Sequence, residues 1–170
     1  MKKKPTTMKE WGARAGRSGN TRRGTDFEKK IAAELGGAGY AVDEAVISRT
    51  MILRRGRPAW TTKKADFFGC IDLTAVRPGD PVLFIQATLD DSRSMMKRKA
   101  AEIENVFVCA SAGRRVLIVQ PYKPDFDDIA GLAAGFSYEV HELVSPGLWD
   151  RGLLSSFGSG SSLVPLAPRS

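Results

Sequence analysis

The chain has one histidine, two cysteines and no run of 18 apolar residues. Each scarcity removes a class of chemistry. A lone histidine, His141, argues against His-ligated metal centres and against ββα-metal nuclease chemistry. It alternates with Val140 and Glu142 in an expected strand, where a surface position is the simpler reading. Cys70 and Cys109 lie on apolar segments with no C-x-x-C spacing, so a structural zinc site is not expected. Buried free thiols fit a reducing, cytoplasmic setting. Without a long apolar run no membrane span is expected, and the basic N-terminus lacks the apolar stretch of a secretory signal. Ser111 and the other serines have no G-x-S-x-G context, which leaves a hydrolase triad unsupported. Gly36-Gly37-Ala38-Gly39 follows a helix rather than a strand, the wrong place for a phosphate cradle.

What the chain does have is positive charge, unevenly spread. The net charge is +7 over 170 residues. Residues 1–30 hold ten Lys/Arg against three acids, so the remaining chain balances to zero. A basic arm on a neutral body suits a polyanion, with salt-dependent phosphate contacts. The length suggests one domain with a sizeable core. Residues 1–24 read as a flexible basic arm, in which Trp11 could anchor the arm or stack on a base. Residues 25–154 read as the folded domain, and the Gly/Ser-rich then Pro-rich residues 155–170 as a disordered tail.

Within the domain the first helix is expected from Thr25. Thr25-x-x-Glu28 matches a capping box, and Phe27, Ile31, Ala32 and Leu35 form a narrow apolar face. Gly36-Gly37 would end it. A strand is expected over about 40–53, bent near Ser48-Arg49, followed by the basic loop Arg54-Arg55-Gly56-Arg57-Pro58. Two further strands span about 66–76 and 82–88 around the turn Pro78-Gly79-Asp80-Pro81. Asp90-Asp91-Ser92 reads as an N-cap cluster for a helix over 94–105. Its solvent face is Arg93, Lys97, Arg98 and Lys99; its core face is Met95, Met96, Ala100 and Ile103. Strands are expected over 115–120 and 137–144.

The informative residues are polar interruptions of apolar strands. Val82-Leu83-Phe84-Ile85-Gln86-Ala87-Thr88-Leu89 is apolar on both faces except at Gln86 and Thr88, which share one face. An unpaired polar group there costs about 1–3 kcal/mol. Asp72 interrupts the preceding strand in the same way. An acid facing polar residues across a hairpin is the geometry of a metal-dependent phosphodiesterase site. Asp66 lies six residues before Asp72, about 20 Å away along a regular strand. It is a secondary candidate that needs a bend at Phe68-Gly69 to approach Asp72.

The order of these features resembles the PD-(D/E)XK nuclease superfamily, in its Holliday-junction-resolvase-like branch. The resemblance covers about residues 22–121. It implies an α/β, restriction-endonuclease-like core (helix-strand-strand-strand-helix-strand) with a mixed central sheet. Asp72 matches the family Asp, and Glu28 the family's first-helix Glu. Gln86-Ala87-Thr88 stands where (D/E)-x-K is expected. The resemblance implies a Mg²⁺ (or Mn²⁺) held by Asp72, Gln86 and the Ala87 carbonyl, with Glu28 acting through water. Such an ion keeps several waters, so few protein ligands suffice. Thr88 cannot supply the charge of the family lysine. Lys64, near Asp66 at the mouth of the second strand, is the expected substitute, with Lys63 and Lys97 as alternatives. Arg22, Arg23, Lys29, Arg54, Arg55, Arg57, Lys97 and Arg98 are expected phosphate contacts. The implied partner is DNA, branched junctions foremost, met by a homodimer because a four-way junction needs paired cuts. Phe126, Leu132, Phe136 and Trp149 are the expected apolar contacts between copies. The alternatives are a non-catalytic DNA-binding module on the same fold and a nuclease of linear DNA.

Overall fold

The computed structural model describes residues 8–54, 56–90, 92–107, 113–124, 135–157 and 164–165; for 8–21, 46–50, 52, 54 and 59–64 it describes the backbone alone. Helix α1 runs Met8–Gly37. It therefore begins well before Thr25, and residues 8–24, expected as flexible arm, are helical. No proline lies between Pro5 and Pro58, so nothing there forbids a helix, and its Ala, Arg, Lys and Glu residues favour one. Thr25 lies inside the helix and does not begin it. The expected apolar face is present: Phe27, Ile31 and Leu35 are buried. After Gly37 the Tyr40 N–H returns to the Leu35 carbonyl at 3.0 Å, across Gly39 at φ 87°.

The strand expected over 40–53 is two strands, β1 (Ala41–Glu44) and β2 (Val46–Arg54). They part at Ala45, whose N–H donates to the Asp72 carbonyl at 2.8 Å. β3 (Arg57–Ala65) pairs antiparallel with β2 along its whole length, and the two form a sheet of their own. Gly56, in the short connection between them, has φ 73°, a conformation that suits glycine in a two-residue turn.

The main sheet adds β4 (Leu73–Val76), β5 (Val82–Ala87), β6 (Arg114–Pro121), β7 (Tyr138–Ser145), β8 (Leu148–Leu154) and β9 (Val164–Pro165). Its order is β1-β4-β5-β6-β7-β8-β9. Among the described strands only β5 and β6 pair in parallel, which demands a crossover between them. Helix α2 (Arg93–Glu104) makes it, with the Ser92 hydroxyl accepting from the Met95 N–H at 3.4 Å. Among the described residues the architecture is mixed α/β, a mixed seven-stranded sheet with a helix on each face. No described helix is long and apolar enough to cross a membrane.

Strand alternation sorts the core into two layers. α1 covers Leu73, Ala75, Leu83, Ile85, Leu117, Val119, Tyr138, Val140 and Leu154. α2 and its exit, through Ile103 and Phe107, cover Cys70, Ile71, Val116, Ile118 and Leu143, with Phe84 and Trp149 partly buried beside them. Each fully buried aliphatic side chain contributes about 1.5–3 kcal/mol. The tail expected from residue 155 starts inside the core. Phe157 is buried, its ring centroid 5.2 Å from that of Tyr138, and its N–H donates to Glu34 Oε2 at 3.2 Å.

Candidate functional site

β5 has neighbours on both edges and helices over both faces, so polar groups on it must find partners within the protein. Gln86 is 3% exposed and Asp72 4%. The register pairs Leu73 with Ile85, which sets Asp72 opposite Gln86. Asp72 Oδ2 accepts from Gln86 Nε2, and from the Ala87 N–H at 2.9 Å. Gln86 Nε2 also donates to the Ala87 carbonyl at 3.0 Å. Gln86 Oε1 accepts from Lys99 Nζ at 3.1 Å. These partners fix which way the amide points: its donor end toward two oxygens, its acceptor end toward an ammonium.

Lys99, expected on the solvent face of α2, points inward. Its side chain is 20% exposed and also lies 3.8 Å from Glu102 Oε2. Met96, Lys99, Ala100 and Ile103 are spaced three and four apart, which places them on one helix face. That spacing was the signal in the sequence; a lysine between Met96 and Ile103 belongs with them and not with Lys97 and Arg98. Lys97 is exposed, and Arg98 reaches Glu102 at 3.6 Å and Met95 Sδ at 3.0 Å.

The bend that Asp66 required is present. Residues 66–72 are a turn, and β4 begins only at Leu73. Phe67 and Ile71 pair across it, with Phe67 N–H to Ile71 O at 2.8 Å. Phe68 has φ 56° and Gly69 φ 77°, the left-handed region, which is strained for phenylalanine. Edge-on contacts to Phe84 and Phe107, at centroid separations of 6.1 and 5.7 Å, help hold the Phe68 ring. The turn replaces the 20 Å separation expected of a regular strand, roughly 3.3 Å per residue. Burial pushes the Cys70 thiol up, and the Glu102, Asp66 and Asp72 carboxylates add to this against Lys99. Cys70 is therefore a buried thiol whose ionisation is disfavoured.

The other sequence candidates lie elsewhere. The Thr88 hydroxyl accepts from the Asp90 N–H at 3.2 Å, so it shapes the turn into α2. Glu28 is half-buried on α1, the helix over the opposite face from Gln86. Lys64 is on β3 opposite Ile47; its side chain and those of Lys63 and Arg54 lie outside the described ones, as does all of Arg55. Arg22, Arg23, Lys29 and Arg57 are exposed, with Arg22 4.0 Å from Asp26. Phe126, Leu132, Cys109 and Ser111 lie outside the described residues. Two of the expected contacts between copies are engaged within the chain. The Trp149 indole N–H donates to Glu104 at 2.6 Å, and the Phe136 ring stands edge-on to Tyr122 at 6.3 Å.

A second polar group continues along the same sheet face. Ile118 pairs with His141 and Gln120 with Glu139, and Gln86 pairs with Ile118. Glu139, 8% exposed, accepts from Arg151, and His141 Nε2 lies 3.0 Å from it. Burial would raise the Glu139 carboxyl, but the bond from Arg151 and the adjacent His141 outweigh it and hold the group down to about 2. His141, expected at the surface, is largely buried because β8 covers β7. Among the described residues no three His, Cys, Asp or Glu side chains gather as a metal site. No family model, curated protein or solved structure matches the chain.

Proposed function

We propose that the chain is a metal-dependent DNA endonuclease, structure-selective for branched DNA, on a restriction-endonuclease-like core. With the β2–β3 hairpin set aside, the described elements run helix, strand, strand, strand, helix, strand through β6, in support of that core. The observation that carries the reading is Lys99 Nζ at 3.1 Å from Gln86 Oε1. A lysine from α2 stands beside the position where the family acid would be, and supplies the charge that Thr88 lacks.

The donor set fits a hard cation in a limited way. Asp72 Oδ2 and the Ala87 carbonyl already converge on the Gln86 amide nitrogen. If the amide reverses, Gln86 Oε1 becomes a third oxygen, enough for Mg²⁺ or Mn²⁺ that keeps waters. Such an ion, when bound, would activate water and offset charge on the phosphate. The chain's own contribution is positioning. Asp72 is held by the Ala87 N–H, and Gln86 links Asp72 to Lys99. Reversal would turn the amide donors toward Lys99 and release its ammonium to face a phosphate oxygen. A junction needs two cuts, so two copies would act together.

The test is end-labelled four-way junction beside the matching linear duplex, each with Mg²⁺, Mn²⁺ or EDTA, with Asp72→Ala as control. Symmetric nicks on the junction, lost with EDTA and with the variant, are expected. Cleavage of linear duplex alone would reassign the substrate. Binding without cleavage under every metal would leave a DNA-binding module, a reading favoured by an amide, Gln86, standing where the family acid is expected.

A further inference from the structure

The β2–β3 hairpin is built unlike the rest of the molecule. Its residues 46–65 include Arg49, Arg54, Arg55, Arg57, Lys63 and Lys64 and no acid. Outside this hairpin and the basic first 30 residues, the chain carries ten Lys/Arg against sixteen acids. The hairpin is thus a cationic element on an acidic body. Its strands pair only with each other among the described residues. An isolated two-stranded ribbon is marginally stable in water, so an element of this kind gains from a partner.

Its dimensions and tip define that partner. Nine paired residues at about 3.3 Å each give an arm of about 30 Å. A two-stranded ribbon of this width enters a duplex groove. The turn end of the ribbon is the Arg54–Arg57 pair, with Arg57 exposed, and just behind it exposed apolar residues follow: Leu53 is 78% exposed and Met51 58%. Pro58, the cross-strand partner of Leu53, is also exposed. Apolar side chains carried into a groove by a basic element can wedge base steps apart and kink a duplex. The root of the arm is at the candidate site. Ala45, immediately before β2, donates to the Asp72 carbonyl at 2.8 Å, and β3 runs directly into Asp66 and the turn to Asp72.

We propose that the β2–β3 hairpin is a duplex-DNA arm, with its arginines on the phosphates and the Leu53–Pro58 pair behind the turn wedged at a base step beside the Asp72 site. The ligand rests on the DNA reading above, whereas cleavage is not required. Arg54, Arg55 and Arg57 changed together to Gln leave the paired residues 46–53 and 58–65 unaltered. The experiment is fluorescence anisotropy on labelled duplex and four-way junction, in EDTA, across a salt series. The triple variant is expected to weaken binding on the order of tenfold or more near 0.1 M salt and to flatten the slope of log Kd against log salt by about 2–3. An unchanged slope overturns the arm and leaves the nuclease reading intact. An absence of binding by the unaltered chain overturns both. Leu53→Ser should keep the slope and relax a bend measured by end-to-end energy transfer; an equal bend overturns the wedge. Sedimentation closes the remaining route: a dimer lost in Leu53→Ser would make the tip a contact between copies and overturn the proposal. Equal tightness on duplex RNA, whose A-form grooves differ in width and depth from those of DNA, would also overturn it.

Discussion

The two faces of the central sheet are made differently. The face under α1 is apolar throughout the core, from Phe27 and Ile31 to Leu154 and Phe157. The face under α2 is apolar only in part. Among the described residues, the four buried polar ones, Asp72, Gln86, Gln120 and Glu139, belong by register to that second face. Gln120 Oε1 has no hydrogen-bond partner among the described residues. Polar groups cost stability unless satisfied, so a fold that confines them to one face assigns the faces different tasks. One holds the sheet together by apolar packing, and the other is where the proposed chemistry would lie.

The largest test of this division is loss of activity on the polar face without loss of fold. Lys99→Met is expected to lower junction cleavage on the order of 10²–10³-fold, the usual cost of removing one charge-stabilising donor, while the loss of stability in urea stays within about 1–3 kcal/mol, the cost of leaving buried Gln86 Oε1 unpaired. Unaltered cleavage would remove Lys99 from the site. Ile85→Ala, one residue from Gln86 but fully buried on the α1 face, should do the reverse. Truncation of a buried aliphatic costs about 2–5 kcal/mol, read in urea, while residual folded protein keeps its cleavage rate at low temperature. If both variants lose stability and rate together, the two faces are not separable.

How far the sequence reached depends on the same division. α1's face, the Gly36-Gly37 stop, β5, α2 and the opposition of Asp72 to Gln86 were legible, because each follows from local periodicity and turn chemistry. Lys99 was legible in spacing but obscured by charge, since Lys97, Arg98 and Lys99 read together as one solvated run. The Phe67–Ile71 turn was legible only as a requirement for Asp66 to approach Asp72, because φ 56° at Phe68 is a conformation imposed by tertiary packing. β8 was missed because Asp150, Arg151 and Gly152 interrupt its apolar pattern. That omission misplaced His141, since only a neighbouring strand can bury it. Phe157 was assigned to a tail by composition, although one aromatic ring was enough to bring the chain back to Tyr138.

Glu139 sharpens the comparison through pH. Its folded carboxyl is held at about 2 against an ordinary 4.5. A depressed carboxyl adds stability above the unfolded value and loses it as pH falls through the folded one. The difference corresponds to about 3 kcal/mol as an upper bound at neutral pH. Glu139→Gln should therefore be less stable than the unaltered chain at pH 7 by about 2–3 kcal/mol. The gap should close between about pH 4.5 and 2. Urea midpoints at pH 7 and at pH 2.5 measure it. A gap of the same size at both would mean that the loss comes from packing against Arg151 rather than from charge.

The smallest expected effect distinguishes a polar face built for a ligand from one that is merely satisfied. Gln86→Glu places a second carboxylate against Asp72 and directly before Lys99. Without metal, repulsion between Asp72 and the introduced carboxylate outweighs the improved pairing with Lys99, because two buried carboxylates this close disfavour joint ionisation. The variant should then melt a few degrees below the unaltered chain in EDTA, about 1 kcal/mol for a protein of this size. With Mg²⁺ the order should invert, since a carboxylate is a stronger oxygen ligand than an amide and ligand binding stabilises the folded state. Thermal melts of both proteins across a Mg²⁺ series give the answer with no substrate present. Parallel responses of the two proteins to Mg²⁺ would mean that Asp72 and residue 86 do not share an ion, and the polar face would then serve DNA contact or packing alone.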